Sequence, residues 1–258
     1  MPRSRLLLAG AAILVVAVLI GGYVAYDQVL SGDSVAPLTL PSASPGTEAA
    51  DPSTGADSGT SSTDPEASPA PAASFDGDVA GTWTVAADSV AGYRVRERLA
   101  NLAAESDAVG RTSGVTGSIT VESDGTTTTL TGGTLTVDTT TMASDEDRRD
   151  NRLRTEGLQT DSFPTASFTI TEPVEVPAGA VAGTASDLML VGDLNLHGVT
   201  KSVSIPAQAQ LVNGTIQVAG SITFPLADFD ITAPNVGGFI ISIADEGTLE
   251  FQVNFTRS

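Results

Sequence analysis

The chain has 258 residues, with 12 basic and 31 acidic side chains and a formal charge of −19. That balance excludes a broad nucleic-acid footprint, which needs clustered Lys and Arg, and the absence of Cys excludes disulfides, thiolate metal sites and a Cys nucleophile. The single histidine, His197, cannot make a two-His zinc site, and any Ser-His-Asp triad would have to use it.

Residues 6–26 read LLLAGAAILVVAVLIGGYVAY, 21 residues without a charge. As a helix they would span roughly 31 Å, enough for about 30 Å of hydrocarbon. Arg3 and Arg5 precede the run and the sequence after it is acidic, so the positive-inside rule leaves the N-terminus in the cytoplasm and the rest outside. Residues 1–30 are therefore read as a cytoplasmic stub and single-pass anchor. The Arg-rich, Lys-poor composition places it in a bacterial cell membrane. The alternative is a signal peptide whose cleavage releases a secreted protein. Its apolar region would be unusually long, and Tyr23 spoils the small-x-small cleavage pattern.

Residues 31–80 hold seven of the 14 Pro, ten Ser, eight acidic residues and no basic one. Such a stretch buries too little apolar surface to offset its ordering entropy, so it is expected to be a disordered linker. Fifty flexible residues average roughly 40 Å end to end.

Residues 81–258 form the folded domain, with 10 basic and 22 acidic side chains. Strand candidates begin at 82–86, 90–97 and 113–122. In 132–138 Leu135 and Val137 alternate with threonines. One helix is predicted over 145–156, with Ser144 as cap, Asp147 three places on, and Gly157 as terminator. It carries Arg148, Arg149, Arg152 and Arg154 and is polar almost all round. Alternation resumes at 165–171 (Ala166, Phe168, Ile170), and 186–196 and 199–212 are further candidates. Asn213-Gly214 reads as a tight hairpin turn. It leads into 215–224 (Ile216, Val218, Ile222, Phe224), and 248–256 (Leu249, Phe251, Val253, Phe255) closes the series. Eight to ten antiparallel strands, each with one wet and one dry face, predict a closed barrel or a sandwich.

Five runs in order resemble the YceI-like family of polyisoprenoid-binding, lipocalin-like barrels. They are Trp83-Thr84-Val85 with Asp88-Ser89 and Gly92-Tyr93-Arg94-Val95, then Gly114 to Ile119, then Arg148 to Leu153, then Phe163 to Phe168, and last Gly192-Asp193-Leu194-Asn195-Leu196-His197-Gly198-Val199-Thr200-Lys201. The resemblance covers 81–258. It implies an all-β fold, an eight-stranded antiparallel barrel with a helical insertion. The elongated apolar bore would accept an isoprenoid or other long-chain lipid. Three positions depart from the family pattern. Asp88 and Arg152 stand where members often carry His, and Leu158-Gln159-Thr160-Asp161 replaces a Phe-rich run. The last departure removes aromatic bulk near the bore or its mouth.

The inward candidates for lining that bore are Tyr93, Leu135, Phe168, Phe224, Phe229, Phe239 and Phe251, where the plainer reading is core packing. Arg149, Arg152 and His197 are candidates for the rim or a lipid head group. His197 also reads as a hydrogen bond pinning a turn, since no nucleophile-elbow motif accompanies it. The acidic group Asp145-Glu146-Asp147 with Asp150 lacks the glycine and distal Glu of a calcium loop. Residues 233–238 can serve as a mouth flap or a hairpin connection. These readings expect no catalytic residue, no metal and no cofactor. Two functions stay open. One is a membrane-tethered lipid-binding barrel outside the cytoplasm. The other is a non-catalytic cell-envelope interaction module whose barrel is filled by its own side chains. Oligomeric state is left undetermined.

Overall fold

A computed structural model describes residues 35–41, 77–99, 105–234 and 240–258. The apolar run 6–26, most of 31–80, and Phe239 lie outside the described residues. Among the described residues no helix is long and apolar enough to cross a membrane.

The strands are β1 (Gly81–Val85), β2 (Val90–Leu99), β3 (Glu105–Thr112), β4 (Val115–Ser123), β5 (Thr128–Asp138), β6 (Thr165–Ile170), β7 (Val174–Val176), β8 (Ser186–Leu196), β9 (Val199–Val212), β10 (Thr215–Pro225) and β11 (Ile240–Arg257). All their pairings are antiparallel. The order β1-β4-β5-β6-β8-β9-β10-β11 returns to β1, so eight strands close on themselves. Closure of this kind removes exposed sheet edges.

β11 organises the wall. Its C-terminal end pairs with β1, Trp83 opposite Arg257, and the rest of the same edge pairs with β2, Gln252 opposite Val90. β2 and β3 therefore extend the wall beyond the closed ring. One end of the barrel is shut. There Trp83, Val253 and Phe255 are fully buried, and Val79 and Ala180 of the short helix α2 (Ala178–Val181) pack inside. The other end opens between the β2–β3 extension and helix α1 (Asp147–Thr155).

Two hairpins turn on two-residue loops in which both residues have positive φ, His197-Gly198 (52° and 76°) and Asn213-Gly214 (52° and 74°). This is the turn geometry that matches the twist of paired strands. β3 and β7 escape a reading of periodicity. β3, Glu-Ser-Asp-Ala-Val-Gly-Arg-Thr, has no clean alternation, and β7 is only three residues long. The helix also starts later than its sequence suggests. Its N-cap is Glu146, whose carboxylate accepts from the Arg148 amide at 3.4 Å. Ser144 instead donates through its hydroxyl (2.6 Å) and its amide (3.0 Å) to Asp150. The chain leaves the helix by a left-handed residue at Gln159 (φ 49°), two residues beyond Gly157.

Candidate functional site: the open end of the barrel

The open end holds a chamber of about 460 Å³. Val95, Ala108, Leu196, Phe224, Leu226 and Leu249 supply apolar wall, and Leu153, Leu158 and Ile231 close its sides. Beyond it lie three smaller voids of about 90, 30 and 60 Å³. Each shares wall residues with the next. Tyr93, Leu158, Leu196 and Leu249 separate the chamber from the first void. Leu135, Phe168, Phe251 and Val253 separate the first void from the second. The hollow is thus wide at the mouth and pinched inside by side chains.

Glycines let the aromatic rings lie flat on the wall. A Cβ on Gly192 would sit 2.7 Å from Phe168 Cζ, and one on Gly220 would sit 2.8 Å from Phe251 Cζ. A Cβ on Gly110 would collide with the Tyr93 ring. Each ring gains its place because the facing strand has no side chain there.

The rim is charged. Arg149, Arg152 and Leu153 fall on one face of α1 at helical spacing, with Arg148 beside them at the chamber. Arg149 Nη2 donates to the buried Glu97 Oε1 at 2.9 Å, and its Nη1 pairs with Asp145. Burial works against the Arg149 charge, but Glu97 and Asp145 outweigh it and hold its pKa above the ordinary value. Arg148 and Arg152 have no ion-pair partner among the described residues.

A family model described as the YceI-like domain matches residues 83–255. The chain belongs to the YceI-like family. No curated protein matches it. Among solved structures, a polyisoprenoid-binding domain from Saccharophagus degradans implicated in plant cell wall breakdown is similar at TM-score 0.52 and 18% identity, covering 69% of this chain and 99% of that one. BcnA from Burkholderia cenocepacia is similar at TM-score 0.50 and 14% identity, covering 65% of this chain and 96% of that one. At these identities the likeness is one of fold.

Within this YceI-like barrel the sequence candidates separate. Tyr93, Phe224, Arg149 and Arg152 line the chamber. Leu135, Phe168 and Phe251 line the inner voids instead, as partitions. Phe229 lines none of these spaces. It packs edge-on against Phe224, ring centroids 4.9 Å apart, behind the chamber wall. His197 does not line the chamber. Its Nδ1 is 3.1 Å from the Phe229 carbonyl oxygen, and its ring lies tilted at 54° to that of Phe163, centroids 4.2 Å apart. That contact ties the β8–β9 turn to the 3-10 turn Leu226–Phe229. Phe239 and residues 235–238 of the expected flap lie outside the described residues, while Ala233 and Pro234 line the chamber. The sequence reading missed Glu97. The signal for Glu97 is an acidic residue on the inward parity of Tyr93 and Val95.

The Tyr93 hydroxyl is buried and has no hydrogen-bond partner among the described residues. Burial pushes its pKa up to about 12, Arg149 pulls the other way, and Asp150, Glu97 and Asp145 add to the rise. Its ordinary value is 10.0. Folding therefore favours the protonated ring, so this contribution to stability is complete below pH 10 and is lost as pH rises through about 12. The loss is expected to reach about 2–3 kcal/mol. Tyr93→Phe removes it and, by deleting an unpaired buried hydroxyl, stabilises the domain by about 1 kcal/mol at neutral pH. Urea midpoints at pH 7 and at pH 11, where about half of that loss has accrued, check both statements. A Tyr93→Phe domain that is weaker at pH 7 would show that the hydroxyl has a partner.

Proposed function

We propose that this YceI-like domain binds the hydrocarbon chain of a polyisoprenoid or similar long-chain lipid, without catalysis and without a cofactor, while held outside the cytoplasm by residues 6–26. The apolar chamber of about 460 Å³ carries the reading. It is roughly three times the cavity of about 150 Å³ that holds benzene in an engineered lysozyme, so it takes on the order of 15–20 chain carbons. Each buried methylene contributes about 0.8 kcal/mol, so a chain of that length binds tightly with little polar contact. Arg148 and Arg152 offer uncompensated positive charge at the mouth, where an anionic or polar head group would rest. Arg149 is committed to Glu97 and Asp145.

Native mass spectrometry of the detergent-purified chain with farnesyl, geranylgeranyl and longer polyprenyl lipids tests this. One bound lipid per chain is expected for the two shorter chains, with weaker uptake as length grows. Failure to take up any of them would overturn the reading. One observation favours the other reading, a non-catalytic envelope module. The inner half of the barrel is filled, with only the small voids left around Phe168, Phe251 and Val253. A chain that binds no lipid yet stays folded is the outcome that reading expects.

A further inference from the structure

Residues 35–41, Val-Ala-Pro-Leu-Thr-Leu-Pro, fall inside the stretch whose composition predicts disorder, yet they lie on the outer wall of the barrel. That wall has outward positions that a solvated sheet would leave wet. Glu250 is 3% exposed, Ala219 5% and Gln210 9%. Glu250 Oε1 accepts from Arg111 Nη2 at 2.9 Å and lies 3.6 Å from Arg94 Nη2, so a buried carboxylate is shared by two guanidiniums. The same groups read the backbone of the segment. Arg94 Nη2 donates to the Val35 carbonyl at 2.7 Å, and Arg111 Nη2 to the Ala36 carbonyl. The Leu38 amide donates to Glu250 Oε2 at 3.3 Å, and Gln210 Nε2 reaches the Pro41 carbonyl at 3.4 Å. Leu40 is buried. Buried charge must be paired and hydrogen-bonded, and here the segment satisfies the part that the barrel leaves open.

The direction of the segment has a consequence. β11 runs from the mouth, where Gly247 and Leu249 line the chamber, to the shut end, where Arg257 stands opposite Trp83. Arg94 pairs with Thr248, Glu250 follows, and Gln210 aligns through Gln217 with Asn254. Val35 is therefore at the mouth half and Pro41 towards the shut end. The folded domain itself begins at the shut end, where Asp78 and Ala80 accept from Arg257 and Val79 lines the innermost void. A tether joined there directly would hang the barrel with its shut end nearest the membrane.

We propose that residues 35–41 are an intramolecular strap, seated in a peptide-binding groove built from Arg94, Arg111, Glu250 and Gln210, that reverses the barrel so its open chamber faces the membrane. This rests on the reading of residues 6–26 as an anchor. Residues 27–34 then join that anchor to the mouth half, and eight residues reach at most about 28 Å. Pro41 and Asp78, described residues on either side of 42–76, both lie towards the shut end. The groove takes an extended peptide with an apolar residue at Leu40 and with its carbonyls turned to the arginines.

The chain has no Cys, so introduced ones label cleanly. The experiment uses the full chain in phospholipid nanodiscs. Spin labels at Thr39→Cys and at Thr169→Cys on the opposite wall are expected to give one narrow distance. Leu40→Asp, which alters only the strap, is expected to broaden it. Energy transfer to a head-group acceptor is expected to be stronger from Arg154→Cys, on the mouth helix, than from Thr126→Cys, in the β4–β5 hairpin at the shut end. Leu40→Asp is expected to abolish or invert that difference. A broad 39–169 distance in the otherwise unchanged chain overturns the strap, and so does a narrow one that vanishes on mixing with excess unlabelled chain, which marks exchange between copies. Equal transfer from the two ends overturns the orientation. A chain that does not insert in nanodiscs removes the anchor and the orientation together, while the 39–169 distance in detergent still decides the strap.

Discussion

Phe168→Ala is expected to lengthen the chain that the barrel accepts while lowering its stability by about 3–5 kcal/mol. Phe168 is 8% exposed and stands between the voids of about 90 and 30 Å³. Its ring rests over Gly192, which has no side chain to fill the space from that wall. The cost is that usual for a truncated core phenylalanine, the lost burial plus the cavity left behind. For a domain of this size each kcal/mol moves the midpoint by about 2–4 °C, so a fall in Tm of roughly 6–20 °C is expected. Native mass spectrometry with polyprenyl lipids of increasing length reads the second effect. In the unchanged barrel uptake weakens beyond the chamber's capacity, and in Phe168→Ala the longer lipids gain relative to the shorter ones. A variant that loses stability but keeps the same length preference would show that lipid does not pass the Phe168 partition.

Arg149→Met is expected to cost about 3–5 kcal/mol, more than a surface arginine would. Glu97 is 4% exposed and its carboxylate receives Arg149 at 2.9 Å. Removing the arginine leaves that carboxylate buried and unpaired, which is far more costly than losing both partners. The double variant Glu97→Gln/Arg149→Met is therefore expected to recover most of the loss. Chemical denaturation of the two single variants and the double closes the cycle. The contrast with Lys201 is informative. Its 2.8 Å pair with Asp228 joins groups 40% and 47% exposed, and Lys201→Ala is expected to change stability by less than about 1 kcal/mol. If Arg149→Met were as mild as that, the rim would be an ordinary solvated helix face and Glu97 would have another means of support.

Much of the barrel is legible from alternation and turn residues. The inward sets Leu249/Phe251/Val253/Phe255 and Ile216/Val218/Ile222/Phe224 meet in register across β10 and β11, as a one-faced sheet requires. Asn213-Gly214 marks its turn because only such residues accept two successive positive φ values cheaply. β3 is not legible, because residues on both of its faces are buried, Ala108, Gly110 and Thr112 on one and Val109 on the other. The site is legible only as a set of inward aromatics. Parity says that Tyr93, Phe168, Phe224 and Phe251 point inward, but it does not say which face a hollow.

What the sequence by itself determined is the local chemistry. Alternating apolar residues made one-faced strands, the two-residue loops set the hairpins, and the charge balance and lack of Cys limited the functions available. Only the tertiary structure decided where the barrel is hollow, because the chamber is enclosed by residues of β2, β3, β8, β10, β11 and α1 that meet only at one end of the closed ring. It alone assigned Arg149 to Glu97, 52 residues away. It also seated residues 35–41, whose composition reads as linker. Seven residues carry no periodicity of their own, and the buried Glu250 and its two arginines that hold them come together only when β2, β3 and β11 pair.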